Sequence, residues 1–103
     1  MTQSRREKLE EMLKEEPRDE FLRYSLAMEL EKEGDHEGCL TIFNDLMTDS
    51  PPYVPAFFMA AQQQVRLGKI DIAKSYLRDG IEHARSQNNL HAAGEMSELL
   101  QGL

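Results

Sequence analysis

Residues 30–43 read LEKEGDHEGCLTIF, and residues 64–77 read QVRLGKIDIAKSYL. Each stretch ends one helical pattern on a glycine, Gly34 or Gly68, and starts another at once. The two are offset by 34 residues, so Cys39 matches Ala73 and Phe43 matches Leu77. The same step recurs outside them: it links Pro17 to Pro51, Leu9 to Phe43, Leu13 to Met47, and Met47 to Ile81. Self-similarity at one fixed step is the mark of a repeat architecture, in which each unit cannot bury its apolar face alone and stacks on its neighbour.

Outward from the two glycines, apolar residues recur at steps of three and four rather than two, the period of helices. Leu22, Leu26 and Leu30 form one stripe, and Leu40, Phe43, Leu46 and Met47 a second. Ala56, Phe57, Ala60 and Ala61 form a third, and Ile70, Ala73, Leu77 and Ile81 a fourth. Each stripe predicts an amphipathic helix with one buried face. Gly34 and Gly68 fall where a left-handed C-terminal cap is required, and Asp35 is placed to accept from the first free amides of the helix that follows. Asp49-Ser50-Pro51-Pro52 breaks the chain, because proline cannot continue a helix and disfavours helical geometry before it, whereas Pro55 suits a first turn. The pattern predicts six helices, near 4–15, 19–33, 36–48, 54–67, 70–86 and 89–101, with no strand. The expected fold is all-α, an array of antiparallel helix hairpins forming a single domain over residues 1–103.

Composition agrees with a soluble domain. Of 103 residues, 40% are hydrophobic and 30% charged, which suits neither a disordered nor a fibrous chain. No apolar run reaches the length of a membrane span, and the opening MTQSRREK runs into charge instead of an apolar signal core. A single cysteine, Cys39, forms no internal disulfide and fits a reducing, cytoplasmic setting. The net charge of −7 is concentrated early, with 12 acids against 7 bases in residues 1–37. No run of Lys and Arg compensates, so neither nucleic acid nor an anionic membrane is an expected partner.

Gly34, Cys39, Phe43, Leu46, Pro51, Phe57, Ala61, Gly68, Ala73 and Leu77 together resemble the tetratricopeptide repeat pattern. The resemblance covers 20–53 and 54–87 as two repeats of an α-solenoid. It makes 4–17 a flanking helix, similar to the second helix of a truncated repeat, and 88–103 a capping helix, since an end repeat otherwise leaves its stacking face in water. Four positions depart from the pattern. Arg23 stands where the family has a bulky aromatic, Gln64 replaces a large packing residue, Gly80 is unusually small, and Arg85 replaces a third proline, which predicts a longer fifth helix.

The resemblance implies an interaction module or adaptor that holds a peptide or a partner's helix on a concave surface lined by the first helix of each repeat. The residues expected there are Phe21, Tyr24, Met28 and Lys32 from the first repeat, and Phe58, Gln62, Val65 and Arg66 from the second. Tyr and Met suit recognition, one by joining a ring to a hydroxyl, the other by adapting its shape. For Phe21 above all, the competing expectation is simple packing between helices. Some family members hold a C-terminal carboxylate with Lys and Asn; Met28 and Gln62 occupy the Asn positions here, so no such clamp is expected. A homodimer formed through the same apolar face or a weakly capped end is the alternative function.

Catalytic machinery is not expected, nor a cofactor or metal. His36, His83, His91 and Cys39 are scattered without zinc-site spacing, and Cys39 lies on a core face among acids where a thiolate is not favoured. Adjacent carboxylates such as Glu10 and Glu11 point about 100° apart on a helix and cannot share a proton. No phosphate loop, nucleophile elbow or dinucleotide fingerprint occurs.

Overall fold

The structure, a computed structural model, describes residues 3–103; Met1 and Thr2, the first residues of the charged opening, lie outside them. It contains six helices among the described residues: α1 (Arg5–Glu15), α2 (Glu20–Lys32), α3 (His36–Met47), α4 (Val54–Arg66), α5 (Ile70–Ser86) and α6 (Leu90–Gln101). Every boundary falls within one residue of its expected position, and α5 is the longest, as the missing third proline implies. None of these helices is long and apolar enough to cross a membrane. The chain forms two compact units, one ending at Asp49 with α1 to α3, the other beginning at Ser50 with α4 to α6.

Three turns are built by the same device. Gly34 has φ +88°, its N–H donates to the Glu31 carbonyl at 3.0 Å, and the Asp35 N–H donates to Leu30 at 2.9 Å. Gly68, at φ +77°, repeats the pair onto Val65 and Gln64, and Asn88, at φ +59°, repeats it onto Arg85 and Ala84. Each pair satisfies carbonyls that the helix end would otherwise orphan, and it does so only if one residue turns left-handed. Glycine adopts that conformation freely and asparagine tolerates it, which accounts for the residue type at all three positions.

The start of the next helix is handled less uniformly. Asp19, Asp35 and Asn89 accept through their side chains from the amides of Leu22, Gly38 and Ala92, and Ser4 forms a reciprocal capping box with Glu7. At the position equivalent to Asp35 stands Lys69, which gives α5 no side-chain cap and sets a cation at a helix N-terminus. Its backbone, φ −94° and ψ 70°, nearly matches that of Asp35, φ −85° and ψ 75°. Lys69→Asp therefore stabilises the protein by about 1 kcal/mol, read as a higher urea midpoint. No gain would mean that an aspartate at this turn does not reach the Ile72 amide.

In the first unit α2 packs against both α1 and α3. Leu9, Leu30, Cys39, Phe43, Leu46 and Met47 are buried. The buried line on α2 differs from the expected stripe, because Arg23, Ala27 and Leu30 go deep while Leu22 and Leu26 are only half-buried. Ala27 is fully buried, and a helix covered from two sides has no single apolar face for the periodicity to mark. In the second unit α5 is central, with α4 and α6 both against it. All four residues of the expected α4 stripe are buried, as are Ala73, Leu77 and Ile81 on α5.

Gly80 explains itself in this packing. A methyl group added there would lie 2.6 Å from both Phe57 Cβ and Met96 Sδ, so the bare backbone lets α4 and α6 close onto α5. Leu46 is its equivalent in the first unit, and Arg23 is the equivalent of Phe57. Where one hairpin has a large aromatic and a glycine, the other thus has an arginine and a leucine at the equivalent sequence positions.

Candidate functional site

On α2, Phe21, Tyr24, Met28 and Lys32 follow one another along one side of the helix, at steps of three and four. Phe21 is 66% exposed, so it packs against little within the protein. Tyr24 is half-buried, its ring tilted 39° to that of Phe43 with centroids 6.0 Å apart. It therefore serves the core as well as the surface, while Met28 beside it is half-buried. Lys32 is exposed, with Nζ 3.8 Å from Glu29 Oε1, a carboxylate that also accepts Arg5 Nε at 3.0 Å. Glu29 thereby screens Lys32, which leaves this side of α2 mainly apolar.

In the other unit, Phe58, Gln62 and Val65 occupy one side of α4 and are all half-buried, with Arg66 exposed at its end. The opposite side of α4 carries the core residues. Next to the expected site residues lie Gln63 and Gln64, both buried, with Gln64 Nε2 donating to Gln63 Oε1 at 3.1 Å. Two amides that donate and accept between themselves meet part of each other's hydrogen-bonding need without water. This makes Gln64 acceptable where a larger apolar residue was expected.

Sequence reasoning missed the strongest electrostatic feature. Arg23, buried in the first unit, donates through Nη1 to Asp49 Oδ2 at 2.6 Å and through Nη2 to Asp49 Oδ1 at 3.2 Å. Arg18 Nη2 adds a bond to Oδ1 at 2.9 Å. The fork of hydrogen bonds from Arg23, aided by the charges of both arginines, holds the Asp49 carboxyl below the usual carboxylate range against the opposing effect of burial. An arginine on the core side of a helix was the available signal, since such a group demands an acid. Asp49, in contrast, reads in the sequence as part of a chain break.

The histidines and the thiol are divided between the two units. His36 is exposed at the start of α3 with Nδ1 2.8 Å from Glu31 Oε1, and Cys39 is fully buried in the same unit. In the other unit His83 stacks on Phe57 at 5.4 Å and 26°, and His91 Nε2 lies 3.3 Å from Glu95. Among the described residues no three side chains of the metal-binding types converge.

No family model matches this sequence, and no curated protein does. Solved structures do. The chain is similar to the solution structure of a tetratricopeptide repeat domain protein from Salinibacter ruber, with 30% identity and a TM-score of 0.77 over 84% of this chain and 87% of that one. A crystal structure of a tetratricopeptide repeat domain protein from the same organism matches with 29% identity and a TM-score of 0.72, over 82% of this chain and 93% of the other.

Proposed function

Because the chain belongs to the tetratricopeptide repeat family, we propose that it is a non-catalytic adaptor that binds a peptide or partner helix through the first helices of its repeats, α2 and α4. Protein interaction in general is what the fold of the family serves; the helices and residues used are our reading. The observation that carries it is Phe21, a phenylalanine two-thirds exposed beside Tyr24 and Met28 on one side of α2. Apolar surface gathered in one place marks interaction sites more than scattered exposed residues do. Phe58, Gln62, Val65 and Arg66 supply the contribution of α4. The reading takes 20–53 and 54–87 as two repeats of one domain and sets the protein in the cytoplasm, where the single buried thiol of Cys39 stays reduced.

Phe21 allows a clean test, because its exposed ring can be removed with a stability change of about 0.5 kcal/mol or less. Affinity capture from the native host identifies the partner, which is then titrated against wild type, Phe21→Ala and Val65→Asp. Phe21→Ala is expected to weaken binding about tenfold, the scale of an interface anchor. Affinities unchanged in both folded variants would move the interface away from α2 and α4. Light scattering on the purified protein separates this reading from a homodimer, which would show twice the monomer mass.

A further inference from the structure

The second unit carries a groove that belongs to neither of these faces. It lies between α5 and α6, holds about 350 Å³, and is lined by Arg78, Ile81 and Arg85 from α5 and by Ser97, Leu100 and Gln101 from α6. Ile81 and Leu100 give it an apolar lining, and its rim carries two cations. In a chain of net charge −7, Arg78 and Arg85 are exposed and, among the described residues, their side chains make no ion pair or hydrogen bond. Glu82 lies between them in sequence but pairs with neither. The two arginines are seven residues apart on one helix, so their backbones are separated by about 10 Å, two turns.

The way α6 is seated shows what such a groove accepts. It lies against α5 and α4 with Met96 fully buried beside Gly80, an apolar side chain of one helix filling the space between two others. The α5–α6 groove offers the next seat of this kind, with guanidinium groups at its edge. We propose that it is a second docking site, which takes an acidic amphipathic helix of a partner protein. Carboxylates two turns apart on that helix pair with Arg78 and Arg85, and an apolar residue between them rests on Ile81 and Leu100. Guanidinium favours carboxylate through its forked donors, so the site selects acidic partners over basic ones by charge and over purely apolar ones by hydrogen bonding.

Fluorescein-labelled helical peptides of about four turns serve as probes. One carries two glutamates two turns apart around a leucine, and its control carries lysines in their place. Anisotropy titrations use the whole protein, the Arg78→Glu/Arg85→Glu variant, the milder Arg78→Gln/Arg85→Gln variant, and Phe21→Ala. Wild type is expected to bind the glutamate peptide about tenfold tighter than the lysine peptide, and the charge reversal to invert that order. The glutamine variant should abolish the preference, and Phe21→Ala should leave it intact. Equal binding of both peptides, or a preference that survives charge reversal in a variant with an unchanged circular dichroism spectrum, would overturn the proposal. So would a loss caused by Phe21→Ala, which would put the probe on α2, or a dimer that dissociates on charge reversal, which would give the groove to a second copy of this chain.

Discussion

Phe43→Ala lowers the unfolding free energy of the first unit by about 3–5 kcal/mol, the cost of deleting a buried aromatic ring and leaving a cavity behind. Phe43 is 1% exposed and its ring faces Tyr24 at 6.0 Å, so the substitution removes contacts from α3 and from its neighbour α2 together. The surrounding side chains offer little relief, since Cys39 and Leu46, one helical turn to either side, are themselves fully buried. Urea denaturation followed by far-ultraviolet circular dichroism gives the size of the loss, and hydrogen exchange of the α2 and α3 amides locates it. Phe21→Ala is the control, because an exposed ring of the same chemistry contributes little. If the two substitutions cost the same, burial is not what makes Phe43 important.

Turns were the most legible part of this fold. A left-handed residue between two helices is so restrictive that Gly34 and Gly68 mark their positions in the sequence, and the helices fill the space between such marks. Asn88 builds the same turn with a residue that is common elsewhere, so the residue type alone does not announce it. Depth was less legible than direction. Periodicity puts Phe21, Tyr24 and Met28 on one side of α2, yet only the folded chain separates an exposed Phe21 from a Tyr24 that leans on Phe43. On a helix with two neighbours, leucine spacing at Leu22 and Leu26 does not identify the buried line either. Contacts between distant residues were not legible at all. Nothing local ties Arg23 to Asp49, and nothing in the spacing of Arg78 and Arg85 shows that Leu100 of another helix completes a groove with them.

Asp49→Ala is expected to cost more than Arg23→Ala, although both break the same ion pair. Without Asp49 the Arg23 guanidinium, whose side chain is 8% exposed, is left buried beside no acceptor from that carboxylate. Stranding a buried charge in this way costs about 3–5 kcal/mol. Without Arg23 the carboxylate, 13% exposed, keeps Arg18 at 2.9 Å, so the loss falls to about 2 kcal/mol. The pair also has an acid signature. Asp49 titrates below its ordinary value in the folded protein because the Arg23 hydrogen bonds and then the arginine charges favour the ionised form. A lowered folded value means that the stabilisation is complete above the unfolded value of about 4 and is lost as pH falls through the folded one. The stability difference between wild type and Asp49→Asn should therefore be level from neutral pH down to about pH 4 and should shrink in stronger acid. Urea midpoints of wild type, Asp49→Ala, Asp49→Asn and Arg23→Ala across that range measure all of this. A larger loss for Arg23→Ala than for Asp49→Ala would mean that the packing of the arginine stem, and not its buried charge, dominates the cluster.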